Sequence, residues 1–275
     1  MKQPKPRNSK IDMARFRIWT STFSGYRHNV NEDRIDRWLK QFQNNHLDIA
    51  ARILDCVDFV SSEQMTSAFR SILQGLEGWD NDNSKRIGRW RFCPFSGSAG
   101  ESGDTMIHKF RHANRLSSRL YNELFIYRSD LLREGLTSDD TVVFIDDFSG
   151  SGQQACKAWK DTFEELLPES PKTYLVLVAA NSKAKKKIES ETELLVVSGI
   201  DYDERDNIFS STCLHFNKSE KEIIFEYCKT VHRDKPKGHA DCGLVVVFAH
   251  NCPNNSIPIL HGTTKKWEGL FRRND

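Results

Sequence analysis

Asp146 and Asp147 are adjacent carboxylates at the end of the apolar run Val142-Val143-Phe144-Ile145. The small segment Phe148-Ser149-Gly150-Ser151-Gly152 follows, and Gln153 and Gln154 open a helical pattern. Ionised carboxylates only accept hydrogen bonds, so a neighbouring pair suits two donor hydroxyls of a sugar. A Ser/Gly loop lets backbone N–H groups come close to a phosphate. The positive end of the next helix adds about 0.3–1 kcal/mol for an anion at an exposed terminus. Acids for hydroxyls beside amides for phosphate match the needs of a ribose 5-phosphate. The competing structural reading is a strand end closed by solvated acids.

Two other stretches carry candidate ligands. Ser98, Gly100, Ser102, Gly103 and Asp104 lie in a small, glycine-rich segment before a helical pattern. This segment reads either as a second anion loop or as a linker in which Asp104 caps a helix. Glu101 and Asp104 fit an anion site poorly unless a divalent cation intervenes, whereas Lys109, Arg111 and Arg115 supply positive charge. Arg111 and Asn114 are candidates for substrate recognition. Asn251, Asn254 and Asn255 occupy a turn-forming stretch and can both donate and accept, as base or sugar recognition requires. They follow an expected strand over Leu244 to Ala249, which should put them on the same sheet edge as Asp146. The basic run Lys183 to Lys187 reads as a solvated helix face, with a phosphate or nucleic-acid contact as the minor alternative.

The elements that position these residues follow from hydrophobic period. Ile35, Trp38, Leu39 and Phe42 form one helical stripe, and Leu47, Ala50, Ile53, Leu54 and Val57 another. Ser61-Ser62-Glu63 starts a third helix with Met65, Phe69, Ile72, Leu73 and Leu76 inside. Beyond a polar break at Asp80 to Ser84, strands are expected at Arg89 to Phe92, Val142 to Ile145, Tyr174 to Ala180, Leu194 to Ser198 and Leu244 to Ala249. Helices are expected from Met106, in segments toward Leu132, and around Ala155 to Leu166 and Ile223 to Val231. This alternation predicts an α/β fold with a mainly parallel sheet flanked by helices. The expected division is a basic tail and helical N-terminal extension over 1–80, then one α/β domain over 81–275.

The pattern from Val142 to Gly152 resembles the PRPP-binding motif of type I phosphoribosyltransferases. The resemblance implies that Asp146 and Asp147 hold ribose hydroxyls, with a catalytic role only secondary. It also implies that Phe148, Ser149, Gly150, Ser151 and Gly152 form a 5-phosphate loop with Ser151 as a hydroxyl donor. Gln153 and Gln154 depart from the usual small residue followed by Thr or Ser. Taken with Ser98 to Asp104, Phe110-Arg111-His112-Ala113-Asn114, His250 to Leu260, Trp267 and Leu270-Phe271-Arg272, the chain resembles PRTase-CE. That is a phosphoribosyltransferase-like family of prokaryotic conflict systems. The resemblance implies a type I phosphoribosyltransferase-like fold, a place in bacterial anti-phage defence and a partner protein. An Mg²⁺-dependent enzyme acting on PRPP or a nucleotide is one functional expectation. The alternative is an inactive nucleotide or PRPP sensor that regulates a partner effector. An apolar strand ending in Asp-Asp also fits a P-loop ATPase, but the required G-x-x-x-x-G-K-[ST] loop is not in the sequence.

Composition sets outer bounds. Among 275 residues, 40 Lys+Arg against 38 Asp+Glu give +2, so no global field favours nucleic acid. Apolar residues are 38% of the chain, enough to bury a core. No apolar run approaches the roughly 18 residues of a spanning helix, so no membrane partner is expected. The seven scattered cysteines form no C-x-x-C pair. Without an apolar leader they are expected to be reduced thiols in a cytoplasmic protein.

Overall fold

The computed structural model describes residues 11–95, 102–168 and 170–273. The first elements are α1 (Met13–Thr22), α2 (Glu32–Leu39), α3 (Leu47–Asp55), β1 (Asp58–Val60) and α4 (Ser62–Gly75). Then come β2 (Trp90–Pro94), α5 (Ser102–Ala113), β3 (Thr141–Ser149), α6 (Gln153–Ala158) and α7 (Glu164–Leu166). The last are β4 (Lys172–Asn181), α8 (Ser182–Glu191), β5 (Leu195–Tyr202), α9 (Lys218–Val231), β6 (Val246–Phe248), α10 (Pro258–His261), β7 (Thr263–Thr264) and β8 (Trp267–Glu268). The chain forms two compact units, residues 1–62 with 204–275 and residues 63–203. Residue 80, near the expected boundary, falls inside the second unit.

The first unit joins the N-terminal helices to the C-terminal segment. Asn31 accepts the Arg34 N–H at 3.0 Å and starts α2, whose Ile35, Trp38 and Leu39 are buried. Asn217 and Glu220 form a reciprocal capping box at the start of α9. β1 and β6 pair in parallel, with Phe59 opposite Val247. The indoles of Trp38 and Trp267 both donate to the Ile259 carbonyl, at 2.8 and 3.0 Å.

The second unit holds a four-stranded parallel sheet in the order β2-β3-β4-β5. One face buries Val142, Phe144, Leu175, Leu177 and Val196 against Ala155, Trp159, Phe163 and Ile188 of the helices after β3 and β4. A π-turn over Trp159–Phe163 separates α6 from α7, and both of its end residues are buried. On the other side, Phe110 of α5 meets Phe92 of β2 and Phe69 of α4 at 5.1 and 5.6 Å between ring centroids. The β2-to-β3 connection passes round the outer edge of β2, where the Ile126 N–H bonds the Phe92 carbonyl at 3.1 Å. It then sends Leu131 and Leu136 into the core of the first face. A covered edge cannot pair with another chain.

The α/β class and the parallel sheet flanked by helices are as the periodicity predicts. One placement is corrected: β6 belongs to a separate two-stranded sheet with β1, so it does not continue the sheet that carries Asp146. The three-residue strand Asp58–Val60 is too short to show a period, and its pairing with β6 could not be read locally. The helix expected from Met106 begins at Ser102 and ends at Ala113, Arg115 turns to φ +58°, and 3₁₀ segments at Arg119–Leu124 and Arg128–Glu134 continue toward and past Leu132.

Candidate functional site at the end of β3

β2 stops at Pro94, opposite Ile145, and the Phe95 N–H bonds the Ile145 carbonyl at 3.0 Å. β3 continues to Ser149, paired on its other side with β4. Asp146 to Ser149 therefore project beyond the end of β2. The strand continues past both acids rather than turning at them. Alternation along the strand sends the two side chains toward opposite faces, while both border the same projecting edge. Both residues are half-buried. Asp146 Oδ1 accepts the Asp147 N–H at 2.9 Å, and Asp147 Oδ1 accepts the Phe148 N–H at 2.7 Å.

The floor of this region is aromatic. Phe144 lies 4.5 Å from Phe163 between ring centroids, and Phe95 stacks on Phe163 at 5.0 Å. Burial pushes the nearby Cys93 thiol up to about 12, so it is no nucleophile at neutral pH. Phe148 meets Tyr202 edge-on at 6.4 Å. Ser151 Oγ lies 3.4 Å from the Gln153 N–H. Gly150 and Gly152 are buried, whereas Gln153 and Gln154 are exposed in the first turn of α6. Gly152 has φ +73° and immediately precedes α6, so the loop reverses through a conformation that favours glycine.

The strand-end principle also identifies groups that the motif reading missed. Asn181 closes β4, and its Oδ1 accepts the Lys183 N–H at 2.9 Å to start α8. Asp201 and Tyr202 close β5 beside it. Lys185 Nζ lies 3.0 Å from Asp201, and Lys187 lies 3.3 Å from Glu191, so part of the basic run forms ion pairs, one to the end of β5 and one along α8. Reading the last residues of every parallel strand, rather than the Asp-Asp motif alone, would have found Asn181 and Tyr202.

The other expected ligands lie elsewhere. Ser98 and Gly100 are outside the described residues. Ser102 and Gly103 open α5, and Asp104 is exposed in its first turn. Arg111 and Asn114 lie at the opposite end of that helix. Arg111 Nε donates to the Leu116 carbonyl at 3.0 Å, and its guanidinium covers the Phe125 ring. Asn114 Nδ2 donates to the Phe110 carbonyl at 2.9 Å. Asn251, Asn254 and Asn255 belong to the other compact unit. Asn251 Oδ1 accepts the Cys252 N–H, Asn254 is exposed, and buried Asn255 donates to the His239 carbonyl at 3.1 Å.

The geometry at this edge is a half-buried acid pair on a projecting parallel strand, followed by a glycine turn into a helix. The family model PRTase-CE matches residues 35–273, and the chain belongs to that family. No curated protein matches the sequence. Among solved structures, TT1426 from Thermus thermophilus is similar at 14% identity. The match covers 34% of this chain and 43% of that one, with a TM-score of 0.19. Among the described residues, no helix is long and apolar enough to cross a membrane.

Proposed function

We propose that this PRTase-CE protein binds PRPP or a nucleotide at the end of β3 and acts with a partner protein in anti-phage defence. The observation that carries the ligand reading is the projection of Asp146–Ser149 past β2, directly before the Gly152 turn. Asp146 and Asp147 would accept from ribose hydroxyls, and amides of the Ser149–Gly152 loop would meet the 5-phosphate. Among the described residues, no cluster of three or more His, Cys, Asp or Glu could hold a metal by itself. Mg²⁺ fits a different arrangement, in which one or two carboxylates share it with ligand phosphates and water. Asp146 and Asp147 are the residues that would hold it, and it would neutralise phosphate charge. Transfer at the ribose anomeric carbon needs positioning and electrostatic stabilisation more than covalent help. Neither acid is assigned as a general base.

The second reading is a sensor that binds the same ligand without turnover. Exposed Gln153 and Gln154 favour it, because they stand where the phosphoribosyltransferase pattern has small and hydroxyl residues. Calorimetry with PRPP and Mg²⁺, on wild type and Asp146→Asn/Asp147→Asn, tests the shared ligand claim. A double variant that binds as tightly as wild type would sink both readings. Chromatography of the reaction mixture then separates an enzyme, which changes the ligand, from a sensor, which returns it intact.

A further inference from the structure

A second cleft lies at the opposite edge of the parallel sheet. It has a volume of about 290 Å³ and is lined by Arg70, Gln74, Trp79, Asn81, Asn114 and Arg115. Its position follows from packing. Trp79 sits 5.2 Å from Trp90, the first residue of β2, whereas Asp146 projects beyond the last residue of that strand. Helix α5 leads from the end of β2 to this cleft, and its twelve residues span about 18 Å at 1.5 Å each.

The lining holds two guanidinium groups and three carboxamides, with no carboxylate among the described residues. The Arg70 Nε–H bonds the Ala113 carbonyl at 3.1 Å, which fixes the side chain and leaves its terminal nitrogens as donors. Arg115 is held at φ +58°, a conformation uncommon for a non-glycine residue, where its N–H bonds the His112 carbonyl at 3.1 Å and the Leu116 N–H bonds the Arg111 carbonyl at 2.9 Å. Its guanidinium has no ion pair among the described residues. Asp80 and Asp82 flank the cleft but do not line it. They accept from Asp82 N–H and Ser84 N–H, at 2.8 and 3.0 Å, within their own turn. Arg86 covers the Trp79 ring at 4.4 Å and adds a third cation beside the cleft.

We propose that this cleft is a second phosphate-binding site, separate from the β3 loop, which takes a small phosphate-bearing ligand. Arg70 and Arg115 bind the phosphate oxygens, because planar guanidinium donors match that geometry. Gln74, Asn81 and Asn114 offer neutral donors and acceptors to the remainder of the ligand.

The test is a titration of isotope-labelled full-length protein, following the Trp79 indole N–H resonance, which Trp79→Phe identifies. Inorganic phosphate and AMP are the probes. The resonance is expected to move with both in wild type, and equally in Asp146→Asn/Asp147→Asn. That double variant separates this site from the one at β3. Tighter AMP binding assigns a nucleotide ligand, while equal affinity assigns free phosphate. Arg115→Glu is expected to weaken binding by about tenfold or more. Arg115→Gly is expected to weaken it too while keeping the fold, because glycine accepts the positive φ without strain. An immobile Trp79 resonance in wild type, or undiminished binding in both Arg115 variants, would overturn the proposal.

Discussion

Gly152 lies directly against Ala184: a β-carbon built on Gly152 would be 3.0 Å from the Ala184 carbonyl oxygen. It would also come within 3.2 Å of Ile188 Cγ1. The turn that follows the acid pair is thus set against α8 by the absence of a side chain. Gly152→Ala should cost about 1–2 kcal/mol from the left-handed backbone alone, with a further cost from the contact. Denaturant unfolding measures that loss. Under the proposed function, the same variant should weaken PRPP binding at temperatures where it remains folded.

Gly199 and Ala68 set the spacing of β5 and α4 in the same manner. A β-carbon on Gly199 would fall 2.4 Å from Ala68 Cβ, which is shorter than any normal contact. Gly199→Ala should destabilise by about 1–3 kcal/mol through overpacking. Ala68→Gly removes the opposing methyl and should recover part of that loss in the double variant. A double-mutant cycle with zero coupling would rule out this contact as the cause.

Arg89 and Asp140 tie the start of β2 to the start of β3. Arg89 Nη2 lies 2.6 Å from Asp140 Oδ2, and the Arg89 backbone N–H donates to Asp140 Oδ1 at 2.9 Å. Burial pushes the Asp140 carboxyl up, but the Arg89 side chain and the Thr137 and Arg89 amides outweigh it and hold the group far below the usual carboxylate range. A depressed folded-state pKa stabilises the fold above the unfolded value of about 4, and that stability is lost as pH falls below it. Asp140→Asn should cost about 1–3 kcal/mol at neutral pH. It should also flatten the decline in stability below about pH 4, as measured by urea unfolding across pH.

Cys93, Cys228 and Cys252 have no exposed surface, and burial pushes each thiol up to about 12. They should resist a thiol reagent at pH near 8 in the native protein and react once it is unfolded. Mass spectrometry of the labelled peptides reads each site separately. Rapid native labelling of Cys93 would show that the core beside β3 opens.

Much of this architecture is legible locally. The run Val142–Ile145 announces a buried strand, and the Ser/Gly segment marks the turn that leads to α6. The stripes of α2, α3 and α4 show their buried faces through a 3.6-residue period. These features depend on neighbours in the chain, so sequence alone determined the parallel α/β class, the acid pair and the glycine turn.

Tertiary structure decided which strands share a sheet and which residues share a site. β6 pairs with Asp58–Val60 although positions 58 and 246 are 188 residues apart in the chain, a contact with no local signature. Asn251, Asn254 and Asn255 go with it into the first unit. Arg111 and Asn114 are carried to the far end of α5, and Asn114 joins a different cleft with Arg70 and Arg115. Asp146 and Asp147 were visible as a motif, but their projection depends on where β2 ends. Sequence period reports which face a residue presents. Long-range pairing reports where that face is placed, because it balances backbone bonds and core packing over the whole unit.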